Sequence, residues 1–325
     1  MWQKIKFMYS KRIAAPITVF LFIIIVLMIT TPTFRSAQNA LQVMLSASIY
    51  VVLAMGISFV LICGCSDLSA GSVVGLAGCM TCIAMRDWQL SLVGAIIIGL
   101  ATGAACGLLN GMMVTKMHLM PFIATLGTQW IYRGTVKLIA DGATVSLRTF
   151  VKKETIDAFY FIGSGRILGI PTPAFIWAAL AVLLWFVLKK TVFGRYIYAV
   201  GSNAEAARMS GINISKVTFG CYVITDMMAA IAGILLAGRL VSMQVNAGEG
   251  YEFEGIFATV IGGTSLAGGE GSILGALIGA FIVAILRNGL NLNGVNAFWQ
   301  QVILGIIIIL TIWFDTYKSR KSREV

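Results

Sequence analysis

The chain has 325 residues, of which 58% are hydrophobic and 11% charged, with a net charge of +11 and a mean hydropathy of +0.91. Soluble globular chains carry roughly a quarter charged residues, so that class is excluded, and no polar stretch is long enough for a separate soluble domain. The positive charge does not indicate nucleic acid, because the basic residues sit at the ends of apolar runs and form no stripe interleaved with aromatics.

Ten apolar segments recur, at about 13–31, 40–63, 68–85, 89–114, 121–140, 172–188, 217–238, 254–267, 272–289 and 297–314. A helix of about 20 apolar residues crosses a bilayer, whereas a β-barrel needs short alternating segments that the sequence lacks. The expected fold is all-α, a single polytopic domain over residues 1–325 with about ten transmembrane helices and pseudo-repeated broken helices. Lys4, Lys6, Lys11 and Arg12 precede the first segment in the manner of a signal peptide. The run is long for such a peptide and no A-x-A site follows, so it reads as an uncleaved span.

The second and third segments meet in GISFVLICGCSDLSAGSVVGLAG, where Cys63–Ser69 breaks an otherwise continuous apolar run. Irregular backbone at membrane depth is tolerated only where protein covers it or where it lines a cavity. The six cysteines, Cys63, Cys65, Cys79, Cys82, Cys106 and Cys221, all lie in apolar runs. With one histidine, His118, and no second cysteine pair at zinc spacing, they read as small buried hydrophobes, and no metal site is expected. On the fourth segment Gly99, Gly103, Gly107 and Gly111 repeat every four residues, the spacing that lets helices approach closely in lipid.

Sorting the 24 Lys and Arg over ten spans puts fourteen on the side of the two basic tails, so both termini are expected in the cytoplasm. The loop at about 141–171 then lies outside. The stretch at about 189–216, containing GRYIYAVGSNAEAARMSGINISKV, lies inside with Lys189, Lys190, Arg195, Arg208 and Lys216 against one acid, Glu205. Asn203 could cap a short helix at about Ala204–Ser210 that Gly211 would end.

Asp226 stands in the middle of the seventh segment, CYVITDMMAAIAG. An acid at that depth is costly and reads either as a pathway residue or as an interhelical hydrogen bond. After this segment, Glu249, Glu252 and Glu254 would give an acidic outer face for a docking partner, or simply a solvated loop. TVIGGTSLAGGEGSILGALIG follows, and its Gly271-Ser272-x-x-Gly275 matches Gly71-Ser72-x-x-Gly75 of the first break. Thr264-Ser265-Leu266 stands where the first break has Asp67-Leu68-Ser69. Matching breaks in two halves point to a transport pathway through Asp67, Leu68, Ser69, Asp226, Thr264 and Ser265.

No P-loop, H-E-x-x-H or G-x-S-x-G motif is present, so nucleotide hydrolysis and the common hydrolytic chemistries are not expected on this chain. A carrier driven by an ion gradient through Asp226 is the alternative.

GRYIYAVGSNAEAARMSGI, SDLSAGS, GRILGIPTPAFIW, RNGLNLNGV and the block GEGYEFEGIFATVIGGTSLAGGEGSILGALIGAFI together resemble the permease subunit of ribose-type ABC importers, over essentially the whole chain. Members of that family carry pentoses and hexoses, and some carry autoinducer-2, a furanosyl signal. The resemblance implies a multi-pass protein of the bacterial inner or plasma membrane that is not itself an enzyme. It implies a second permease copy (a homodimer), an ATPase subunit that binds ATP-Mg, and an extracytoplasmic sugar-binding protein, with no cofactor on this chain. It also implies an ATPase-coupling loop at Gly194, Arg195, Gly201, Asn203, Glu205, Ala206, Ala207, Arg208, Gly211 and Ile212. The family pattern G-G-I-D-L-S reads here Gly64-Cys65-Ser66-Asp67-Leu68-Ser69, and Y-E-L-D-A-I reads Tyr251-Glu252-Phe253-Glu254-Gly255-Ile256. Asp226 stands where an uncharged small or polar residue is common in that family.

Overall fold

The computed structural model describes residues 2–296, 298–303, 305–307 and 309. Twelve α-helices carry the described fold: α1 (Trp2–Thr30), α2 (Ala37–Ile62), α3 (Ala70–Arg86), α4 (Leu92–Thr115), α5 (Pro121–Ile139), α6 (Lys153–Ser164), α7 (Thr172–Lys190), α8 (Val192–Ser202), α9 (Ala204–Met209), α10 (Ile214–Leu240), α11 (Tyr251–Ile261) and α12 (Ile273–Leu292). Of the tenth expected segment, residues 298–303 are helical and much of the rest lies outside the described residues.

Among the described residues, five helices, α2, α4, α7, α10 and α12, are long and apolar enough to cross a membrane on their own. α2 is apolar all round and almost wholly buried from Ala47 to Ile62, which marks it as the central post. α4 runs antiparallel to α10 with its glycine run against that helix. Gly99 meets Ile234, Gly103 meets Ala230, Gly107 meets Val223 and Gly111 meets Phe219. A β-carbon on Gly107 would come within 2.7 Å of the Val223 Cα, so only glycine permits this spacing.

The expected segment at about 254–267 is a broken one: α11 has only 11 residues, about 16 Å of helix against about 30 Å of bilayer hydrocarbon, and ends before the turn into α12. α11 and α12 form a tight antiparallel hairpin in which Gly262 abuts Gly275 and Gly279 abuts the Ala258 carbonyl. The turn between them lies against the end of α2, where Gly269 N donates to Ile62 O at 2.8 Å.

The loop at 141–171 is more structured than its composition suggests. β1 (Val145–Ser146) pairs antiparallel with β4 (Ser242–Met243), which follows α10, and β2 (Arg166–Ile167) pairs with β3 (Ile170–Pro171). α6 buries Phe159 and packs Gly163 onto Gly238 of α10. Beyond the apolar part of α3, Arg86 donates two hydrogen bonds to Asp87, at 2.7 and 2.8 Å, and holds its carboxyl below the usual carboxylate range.

Candidate functional site

Two constellations stand out, one exposed and one buried. The exposed one is α8–α9. Thr191 caps α8 by accepting from Gly194 N at 3.1 Å, and Asn203 caps α9 by accepting from Ala206 N at 2.9 Å. α9 then closes with Ile212 N donating to Ala207 O across Gly211, whose φ of +79° suits glycine. The sequence signals for this helix therefore lie where they were read, and it runs over Ala204–Met209.

α8 was not anticipated. Its Thr191 cap and the inward spacing of Phe193, Ile197 and Val200 are the signals that could have found it. Phe193 packs on Gly220 of α10, and Gly201 packs on the end of α2 and on Gly269 of the α11–α12 turn. Gly64 and Gly268 meet beside it. The loop residues thus divide into two sets. Gly194 and Ala207 are buried, Gly201 and Ile212 are half-buried, and Arg195, Asn203, Glu205, Ala206, Arg208 and Gly211 face outward. Met209, at the tip of α9, is 88% exposed.

The buried constellation lies at the start of α3. Asp67 closes a local turn: its Oδ1 accepts from Ser69 N at 2.8 Å and from Ser69 Oγ at 2.7 Å. Asn110 of α4 donates to Ser69 Oγ and to Asp226 Oδ2 of α10, both at 2.8 Å. Its own Oδ1 accepts from Thr128 of α5 at 2.7 Å. Asp67 and Asp226 lie within hydrogen-bonding reach of each other. Asp67, Ser69, Asn110, Thr128 and Asp226 are all fully buried, and Leu68 is buried beside them. One polar knot therefore joins the broken segment to α4, α5 and α10. Asn110 and Thr128 were missed by the sequence reading. The available signal was a lone Asn inside an apolar glycine-repeat helix, which in lipid calls for an interhelical partner.

Thr264 and Ser265 do not join this group. They lie at the α11–α12 turn, where Thr264 packs by Gly271 and Ser265 N donates to Glu270 O at 3.0 Å. The two matching motifs also differ in role. Ser272 caps α12 through Gly275 N at 3.0 Å, whereas Gly71 and Gly75 press α3 against the segment that leads into α11, at Gly248 and Ala247.

The acidic outer face requires correction. Glu249 is exposed, but Glu252 and Glu254 are buried in the first turn of α11. Glu252 accepts from Gln129 Nε2 at 2.9 Å and lies against Gly71, and Glu254 pairs with Arg287 of α12. Gly250, with a φ of +82°, begins α11 so that both carboxylates turn inward, where the amide groups of the first turn also favour negative charge.

Comparison with known proteins gives an independent line. The family model described as "Branched-chain amino acid transport system / permease component" matches residues 39–312. The chain is 38% identical over 289 residues to the ribose import permease protein RbsC of Escherichia coli (strain K12), covering 89% of each. It is 39% identical over 297 residues to RbsC of Bacillus subtilis (strain 168), covering 91% of this chain and 90% of that one. It is 35% identical over 312 residues to the galactose/methyl galactoside import permease protein MglC of Haemophilus influenzae (strain ATCC 51907 / DSM 11121 / KW20 / Rd), covering 90% of each. No solved structure matches.

Proposed function

The chain belongs to the family of branched-chain amino acid transport system permease components, and on that premise we propose that it is the membrane-spanning subunit of an ATP-driven monosaccharide importer. The family description names amino acids, but the relatives compared above, which match nearly end to end, carry the names of ribose and galactoside permeases. A pentose such as ribose, or a related hexose, is the cargo this supports best. ATP hydrolysis belongs to a separate ATPase subunit that binds ATP-Mg, and sugar capture belongs to an extracytoplasmic binding protein. Two copies of this chain form the pore, and both termini and the 189–216 stretch face the cytoplasm.

The observation that carries this reading is the seat of α8–α9. One side of this unit, through Gly201, touches the end of α2 and the α11–α12 turn, and the other offers Glu205, Arg208 and Met209 to a partner. A push on α9 therefore reaches both broken segments through rigid contacts, which is what alternating access driven from another chain requires. Gly194 and Ala207 shape the unit, while Arg195, Asn203, Ala206, Gly211 and Ile212 frame its contact face.

The test is ATP-dependent ribose uptake by vesicles containing the chain, its ATPase and its binding protein. Replacing Glu205 and Arg208 with Ala is expected to leave a folded membrane protein while lowering sugar-stimulated ATPase and uptake at least tenfold. Undiminished coupled uptake in that variant, or uptake by the chain alone without ATPase, would overturn the proposal.

A further inference from the structure

We propose that Asp67 and Asp226 hold one proton between them, so that the junction of the broken segment with α10 is a buried proton-binding site. The reasoning is a count of donors. Both carboxyls are fully buried and lie within hydrogen-bonding reach of each other. One oxygen of each is served: Asp67 Oδ1 by Ser69 N and Oγ, and Asp226 Oδ2 by Asn110. Asp67 Oδ2 and Asp226 Oδ1 are buried with no other partner.

The neighbouring side-chain donors are already committed. The Asn110 amide group gives its two hydrogens to Ser69 Oγ and Asp226 Oδ2. The Ser69 hydroxyl serves Asp67, the Thr128 hydroxyl serves Asn110 Oδ1, and the Tyr132 hydroxyl serves the Cys106 carbonyl at 3.1 Å or Asn110 Oδ1 at 3.4 Å. An ionised carboxylate only accepts hydrogen bonds, so two such groups side by side leave both spare oxygens unsatisfied and their charges in direct repulsion. A single proton from solvent takes the pair from two negative charges to one and gives both spare oxygens their missing bond.

Among the described residues, no positive side chain takes the place of that proton. The titratable groups that act on the pair are Cys106 from α4, Tyr132 from α5 and Tyr222 from α10, and none of these is a cation. The site therefore takes a proton in preference to a bound anion or a polar substrate, and it ties residues 63–69 to α10. The same segment begins beside Ile62 and at Gly64, against the α11–α12 turn and α8. The proton is thus a positioning element for the broken segment, and its influence on transport rests on the function proposed above, whereas its existence does not.

The experiment is infrared spectroscopy of the purified protein in detergent, following the carbonyl stretch of protonated carboxyl groups, alongside thermal unfolding across the neutral and alkaline range. Asp226→Asn and Asp67→Asn each replace the shared proton with an amide hydrogen. The wild-type spectrum is expected to contain a protonated-carboxyl band that disappears in both variants. A proton held only in the folded state stabilises it until rising pH removes that proton. The wild-type unfolding midpoint should therefore fall by several degrees as pH rises, and that of Asp226→Asn should fall much less. If one Asn variant does not fold, loss of the same band component in the other Asn variant, and not in Glu254→Gln, supports the proposal. A band unchanged in both variants overturns it. Absence of the band with a midpoint that rises with added sodium also overturns it, because the occupant is then a metal cation.

Discussion

Gly201 of α8 rests directly on the carbonyl of Ile62, the last residue of α2, and a β-carbon at that position would overlap the oxygen and crowd Gly269 N. The same carbonyl accepts from Gly269 at 2.8 Å, so α8, α2 and the α11–α12 turn share one contact point.

Gly201→Ala inserts a methyl group into that point. Overpacking of this kind costs about 1–3 kcal/mol. The expected result is a moderately lower unfolding midpoint in detergent together with a larger loss of sugar-stimulated ATPase, since the methyl group separates α8 from both broken segments at once. Equal retention of ATPase stimulation and stability would show that this contact transmits nothing.

The glycines of α4 divide sharply by what they face. A β-carbon on Gly107 meets Val223 Cα at 2.7 Å and the Tyr222 carbonyl at 2.9 Å, whereas one on Gly94 meets only the side chains of Leu90 and Ser91 at 3.5 Å. Gly107→Ala is therefore expected to force α4 off α10, again at about 1–3 kcal/mol. Gly94→Ala is expected to be neutral or stabilising by up to about 1 kcal/mol, because it removes a helix-breaking residue at no steric cost. Thermal unfolding of the two single variants checks the contrast, and a Gly107→Ala protein as stable as Gly94→Ala would refute the close-packing account.

How much of this was legible in the sequence depends on which physical signal carries each feature. The apolar runs give the helices because hydrocarbon selects length and hydrophobicity, and the Asn203 and Gly211 signals give α9 because caps are local chemistry. Where a helix stops inside the protein is not local. α11 halts at Ile261 because Gly262 and Gly275 must meet, a long-range contact that composition does not report. A burial pattern hidden in a polar stretch is also weak evidence, which is why α8 read as loop. The acids show the limit most clearly. Glu249, Glu252 and Glu254 are the same chemistry within six positions, yet only the start of α11 decides that the first faces out and the others face in. Asp226 was recognised as unusual, but its partners Asn110 and Asp67 come from distant parts of the chain. Its hydrogen bond from Asn110 matches the interhelical-bond alternative, one of the two readings that its depth in the segment suggested.

Glu254 and Arg287 form the ion pair that fastens α11 to α12, with the guanidinium also 5.8 Å from the Tyr50 ring of α2. The Glu254 side chain is 10% exposed and that of Arg287 31%, so the pair lies between two regimes. Fully exposed pairs are worth about 0–1 kcal/mol, whereas removing one partner of a buried pair costs about 3–5 kcal/mol. Arg287→Met strands a buried carboxylate and removes the cation from Tyr50, and is expected to cost about 2–3 kcal/mol, toward the buried limit. Glu254→Gln leaves the more exposed partner, which water can solvate, and is expected to cost about 1 kcal/mol. The double variant should be less damaging than the sum of the two, because it leaves no stranded charge. A double-mutant cycle on unfolding midpoints in detergent measures this directly. Strict additivity would mean that the two side chains do not interact, and that α11 is held to α12 by the Gly262–Gly275 and Ala258–Gly279 contacts alone.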